Sequence, residues 1–312
     1  MALKTGRAYG NADVTIEHSR CVLCGRCIAV CKGNPLYVDQ GRVRVDQSRM
    51  FGCVACGHCM AVCPNGCISV NGRDLSPDDV LDLPPHEERA GYDALRGLML
   101  ARRSLREFAD AEVERPLVDK ILEALSTAPM GLPPSDVEVL VLHGRQRVRE
   151  FVADTISEVR RQKWMFSKGM GIAMRPFMGR DGYEMWQTFV VPLADLLVTE
   201  HEQGTDWLLY DAPLALYFHV SPLADPADPL ISATYAMLAA ESLGLGTCMI
   251  GSVPWFVKYS KTLKRKYGIP PRNRQGIMLI AGHPAVTYSR ALRRRLAKVD
   301  YRVTTSVLGG AE

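Results

Sequence analysis

Residues 92–108, YDALRGLMLARRSLREF, set apolar side chains at 95, 98, 99 and 105 against basic ones at 102, 103 and 106, which predicts an amphipathic helix followed by a basic turn. A second helix is predicted over 115–128 (RPLVDKILEALSTA), leading through PMGLPPSD into a strand, VEVLVLH, at 137–143. Residues 232–251, SATYAMLAAESLGLGTCMIG, read as a helix packed with Ala, Met and Leu that stops at glycines. Gly244 and Gly246 can cap it and let backbone N–H groups come close to a flat ligand. GIMLIAGHP at 276–284 is a strand, followed by a basic tail. Near the start, RVRV (42–45) and CISV (67–70) are β-prone pieces suited to small hairpins. Between 160 and 192, five Met, two Trp and three Phe are mixed with glycines and basic residues that break helical periodicity. Two readings stay open for that stretch: core or dimer interface, and a lid over a bound ligand.

Length and composition fit two units. The 312 residues are 47% hydrophobic and 23% charged, room for a small first module and one domain of about 200 residues. LSPDDVLDLPPHEER at 75–89 is acidic, holds three prolines and has no sustained period, so the expected division is 1–74, a linker at 75–91, and 92–312. MALKTGRAYG lacks the apolar core of a secretory leader, and no stretch of about 18 apolar residues follows. The expectation is a cytoplasmic chain, free of the membrane, with reduced thiols. Net charge is only +4, yet residues 256–299 hold twelve Lys or Arg and no Asp or Glu. A solvated basic face and an anion site, for a cofactor phosphate, a pyridine nucleotide or an acidic partner, both fit that run. Nucleic acid does not, since neither aromatic studding nor a recognition helix accompanies the charge.

The chemistry is concentrated at the front. CVLCGRCIAVC (21–31) and CVACGHCMAVC (53–63) each place four cysteines at gaps of two, two and three residues, and every cysteine of the first run recurs 32 residues later. Zinc sites pair two close cysteines with a distant second pair, whereas this ladder, with Pro64 after the second run, is the spacing of iron–sulfur ligation. In the two-cluster arrangement the fourth cysteine of each run ligates the other cluster. The expected ligand sets for two 4Fe–4S clusters are therefore Cys21, Cys24, Cys27 and Cys63, and Cys53, Cys56, Cys59 and Cys31. Across 12–72 the chain resembles two-cluster bacterial ferredoxins, departing at Lys32, where proline is usual. Cys67 is surplus to the eight and reads as a small buried thiol.

From 93 to 300 the chain resembles the nitroreductase family of FMN enzymes, on RRSLREF, LAAESLGLGTCMIG and a strand ending in AGHP. The two resemblances imply an α+β chain, a small ferredoxin-like module followed by a nitroreductase-like mixed α/β flavin domain. They imply a phosphate-binding turn at Arg102, Arg103, Ser104 and Arg106, closed by Arg290 or Arg293, and a flavin-lining segment with Gly246, Thr247 and Gly251. The family's polar flavin loop is altered here: Met130, Pro133, Ser135 and Val137 stand where Ser, Asn, Gln and Trp are common, leaving backbone groups, Ser135 and Asp136 for contacts. Cys248 reads as a packing residue and the scattered histidines as structural. Clusters beside a flavin imply an FMN-dependent oxidoreductase fed by a low-potential donor, such as an acidic ferredoxin or flavodoxin. Its acceptor would be a nitro compound, quinone or enone. FMN N5 is expected to carry the chemistry, and no catalytic side chain stands out. A homodimer with FMN at its interface is implied as well. Two rivals stay open: a non-enzymatic relay or sensor, and NAD(P)H as the substrate that reduces FMN while the clusters export electrons.

Overall fold

The two cysteine runs fold alike. In the computed structural model, which describes residues 12–131 and 136–302, Leu23 and Ala55 share a left-handed backbone (φ 53° and 57°), as do Gly25 and Gly57 (both 71°). Each glycine, for which that conformation carries no Cβ clash, opens a short helix, α1 (Arg26–Val30) and α2 (His58–Ala61). Two antiparallel ribbons frame them. Strand β1 (Asp13–Ile16) pairs with β4 (Ile68–Asn71). Strand β2 (Leu36–Asp39) pairs with β3 (Arg42–Val45) through a tight turn at Gln40 and Gly41, both at positive φ. Ala12, Leu36, Val43, Met60, Ile68 and Val70 form the core together with cysteines of both runs.

From 77 to 97 the chain is exposed without a break, apart from its own short 3-10 turns at Pro77–Asp79 and His86–Glu88. Helix α3 (Tyr92–Ala101) ends where the basic turn begins and rests on α8 (Asp228–Ser242). The second unit is built on an antiparallel sheet in the order β5 (Val137–His143), β6 (Leu214–Val220), β8 (Arg274–Gly282), β7 (Gly246–Ile250). Strand β6 is buried at every position. Its Leu214, Leu216 and Phe218 face a core shared with α4 (Arg115–Ser126) and α8. Its Ala215 and Tyr217 face the opposite core, with α5 (Arg145–Arg161), α7 (Val191–Glu202), α9 (Ser252–Tyr259) and α10 (Lys261–Lys266). Period-two alternation along one strand thus serves two helical layers.

The Met-rich stretch is more helical than its glycines and Pro176 suggest. Helix α6 (Lys168–Met185) bends at Gly179 (φ 69°) and runs through a π-helical turn, Trp186–Val190, into α7. Phe166 and Trp186 stack at 5.7 Å against Trp255 and pin both ends to the core, while Ile172, Phe177 and Phe189 stay exposed. Helix α8 ends at Gly244 (φ 79°), where Leu245 N–H bonds Ala240 C=O and Gly244 N–H bonds Glu241 C=O, a Schellman closure.

Candidate functional site

Local loop geometry gathers the sulfurs around two cavities. One is walled by Cys21, Cys24, Cys27 and Cys63, with Cys67 and apolar residues such as Ile16 and Ile68. The other is walled by Cys31, Cys53, Cys56 and Cys59, with Gly33, Gly52 and Val70. None of the ten cysteines is paired in a disulfide. Among the described residues no three acidic, His or Cys side chains converge tightly enough to chelate a single ion. The sulfurs ring a space instead, a spread that suits a cubane with separated irons.

Electrostatics fit the same group. Burial, with Cys53, Cys31 and Cys56 alongside, pushes the Cys59 thiol up to about 12. Burial also opposes ionisation of Cys63, but hydrogen bonds from the Cys67 N–H and thiol and from the backbone at Asn65 and Gly66 outweigh it and hold Cys63 below the ordinary thiol range. Arg73 carries the complementary charge. It sits in the turn after β4, whose Gly72 abuts Ala12 and whose Leu75 lies over Gly57, while Ala12 N–H bonds Cys53 C=O. The Arg73 Nε and Nη1 are buried with no partner among the described residues, and burial lowers its pKa against a nearby Cys53. Two guanidinium nitrogens left unpaired among the described residues, near a sulfur-walled cavity, match an anionic cluster.

The basic turn is fixed to the edge of the large sheet. Leu105 N–H bonds Thr247 C=O at 2.9 Å, and Ser104 bridges to Thr247 in parallel. Gly246 makes this approach possible: a Cβ there would stand 2.2 Å from Leu105 Cδ2. Its bareness accommodates a leucine. The tail returns to the same place. Ala109 N–H bonds His283 C=O, Ala285 N–H bonds Glu107 C=O, and Arg103 Nη2 donates to Arg290 C=O at 3.3 Å. Arg293 lies exposed farther along that tail, and Gly251 is the N-cap of α9. Thr247 is fully buried, its hydroxyl without a partner among the described residues. Burial raises the Cys248 thiol, although Arg106 and Ser104 pull the other way. Burial likewise raises Glu241 against the pull of Arg102 and Arg103.

Arg106 lines a cleft of about 940 Å³ together with Arg149, Trp207, Tyr210 and Asp211. Its guanidinium lies over the Tyr210 ring at 5.5 Å. Tyr210 and Asp211 both hold left-handed backbone (φ 56° and 52°). Asp206 accepts the N–H groups of Leu208, Leu209 and Asp211, and Arg149 grips the Asp211 carboxylate with two hydrogen bonds, so the strained pair is held from both sides.

Of the loop residues expected near a ligand, Ser135 lies outside the described residues, and Asp136 accepts a hydrogen bond from Ser221. The loop's visible anchor is Asp228, nearly buried, whose two carboxylate oxygens each stand 3.1 Å from Gly131 N. Sequence reading passed over Asp228, Tyr210 and Arg73. ADPADPL carried the signal for Asp228, an acid on the first turn of a helix.

The sequence model of the nitroreductase family matches residues 99–283, more than half of the chain. The chain belongs to the nitroreductase family. A second model, the 4Fe-4S dicluster domain, matches residues 13–64, so an iron–sulfur module precedes the nitroreductase domain. No curated protein matches the chain. Among solved structures, a nitroreductase with bound FMN from Desulfitobacterium hafniense is 19% identical, with 67% of this chain and 98% of that one covered and a TM-score of 0.48. A nitroreductase with bound FMN from Bacteroides fragilis is 17% identical over 67% and 97%, at 0.46. An FMN-dependent nitroreductase from Clostridium difficile is 20% identical over 67% and 99%, at 0.43. This nitroreductase-family chain is an oxidoreductase, and none of its helices, among the described residues, is long and apolar enough to cross a membrane.

Proposed function

We propose that the protein is a cytoplasmic iron–sulfur flavoprotein reductase. It takes electrons from a low-potential donor by way of two 4Fe–4S clusters to FMN, and delivers them to an electron-poor acceptor such as a nitro compound, quinone or enone. The observation that carries this is the presence, on one chain, of two sulfur-walled cavities and an arginine turn pinned to a sheet edge beside an open cleft. Cys21, Cys24, Cys27 and Cys63 would hold one cluster and Cys53, Cys56, Cys59 and Cys31 the other. Arg102, Arg103, Ser104 and Arg106 would hold the phosphate, with Arg290 or Arg293 closing on it. When bound, clusters supply single-electron transfer and FMN supplies two-electron chemistry at N5.

The chain's own part is placement and field. Strand β7 holds the turn in place, Arg106 lends positive charge to the cleft, and Asp228 anchors Gly131. The exposed basic tail, with Arg290, Arg293, Arg294, Arg295 and Lys298, suits an acidic ferredoxin or flavodoxin as donor. Exposed Ile172, Phe177 and Phe189 suit a homodimer.

The test is anaerobic mixing with reduced ferredoxin, NADH and NADPH in turn, followed by flavin bleaching and then by reoxidation with small acceptors. Cys56→Ser should keep FMN bound, abolish reduction by ferredoxin, and spare any direct reduction by NAD(P)H. Wild-type bleaching rates with ferredoxin in Cys56→Ser would refute the electron path. Reoxidation by a protein partner alone would make the chain a relay.

A further inference from the structure

Ligand arithmetic leaves Cys67 over, and the structure shows it in the wall of a ligand cavity. Its Sγ stands 3.4 Å from Cys63 Sγ, and its backbone N–H reaches the same sulfur at 3.4 Å. It is 7% exposed and lines the cavity with Cys21, Cys24, Cys27 and Cys63. The 32-residue repeat makes the comparison internal, because Cys67 corresponds to Pro35 as Cys63 does to Cys31. Proline has neither a thiol nor an N–H. Residue 67 therefore offers two donors to the sulfur of Cys63, and residue 35 offers none to that of Cys31.

We infer that Cys67 is a tuning residue, whose S–H and N–H both donate to the Cys63 sulfur and raise the reduction potential of the cluster that Cys63 helps to hold. The inference rests on the reading that these cavities hold 4Fe–4S clusters. A ligating Cys63 is a thiolate with no proton of its own, so the S–H between the two sulfurs belongs to Cys67. Hydrogen bonds to ligand sulfur favour the more negative, reduced state of a cluster. The other cavity lacks a fifth sulfur and has Arg73 nearby, so the duplicated halves reach their potentials by different means.

The experiment compares Cys67→Ala and Cys67→Ser with the wild-type holoprotein, first by iron and acid-labile sulfide content and then by EPR-monitored redox titration. Cys67→Ala should keep both clusters and shift one of the two midpoints to more negative potential, leaving the other in place. Cys67→Ser, which retains an O–H donor, should recover part of that shift. Full cluster content with both midpoints unmoved in Cys67→Ala overturns the inference. So does loss of a cluster in Cys67→Ala, which would make Cys67 a ligand. Wild-type protein with fewer than two clusters would instead overturn the two-cluster reading, and this inference with it, and the metal analysis shows that before any titration begins.

Discussion

Replacing Gly246 with alanine tests whether the basic turn is held to the sheet by packing. The new Cβ would lie 2.2 Å from Leu105 Cδ2 and 3.0 Å from both Cβ and Cγ of the same residue, so turning the leucine tip away leaves the clash at its stem. Leu105 is 3% exposed, so it cannot swing outward without giving up its burial. Overpacking of this kind costs about 1–3 kcal/mol. Removing the leucine instead, as Leu105→Ala, costs about 2–5 kcal/mol through lost burial and the cavity left behind. Each change alone should lower the urea midpoint of the nitroreductase domain. The informative measurement is the double variant: with Leu105 truncated, the 2.2 Å contact to Cδ2 and the contact to Cγ are gone and only Cβ remains at 3.0 Å, so Gly246→Ala should cost clearly less, giving a coupling energy of about 1 kcal/mol or more. FMN affinity should follow the same pattern, since Ser104 and Arg106 travel with Leu105. An undiminished cost of Gly246→Ala in the Leu105→Ala background would show that the two residues do not press on each other and would refute the packing account.

Arg106→Gln should weaken FMN binding about ten- to a hundredfold, the worth of one charge-assisted contact, while riboflavin, which lacks the phosphate, binds as before. Equal losses for both ligands would assign Arg106 to the fold, through its contact with Tyr210. Glu158, 11% exposed at its side chain, bonds Arg161, Gln162 and Ser260, and these contacts outweigh burial to hold its carboxyl below the ordinary 4.5. A depressed carboxyl stabilises the fold fully above the ordinary range and loses that contribution as pH falls through its folded value. The urea midpoint of the wild-type protein should therefore drop more steeply below about pH 4.5 than that of Glu158→Gln, and parallel curves would count against the assignment.

What the sequence showed plainly was local. The cysteine spacing needs only a few consecutive residues, and the repeated left-handed positions at Leu23 and Ala55 and at Gly25 and Gly57 reproduce it in the backbone. Residues 92–108 read as helix then basic turn, and the helix ends at Ala101, before the arginines. Long-range fits were hidden. Nothing in LGLGT announces that Gly246 is bare for Leu105, or that Asp228 reaches back to Gly131. The glycines and basic residues between 160 and 192 break the helical period in the sequence. Stacking of Phe166 and Trp186 at its two ends, and the single bend at Gly179, keep most of it helical. Arg73 gave no signal because one arginine after a strand looks like any surface charge.

The outer edge of β7 has a further consequence for how the protein fares without its ligand. The segment carrying Ser104 and Leu105 is also what covers that strand's otherwise open hydrogen-bonding groups. It is crowded with positive charge from Arg102, Arg103 and Arg106, which Glu241 near the first two offsets in part and a bound anion would offset further. A chain starved of its anionic ligand would hold the cover less firmly, and an uncovered strand is a template for joining other chains edge to edge. Scarcity of the ligand would then register first as insoluble protein, before any fall in turnover per soluble molecule, and solubility during expression would report on ligand supply.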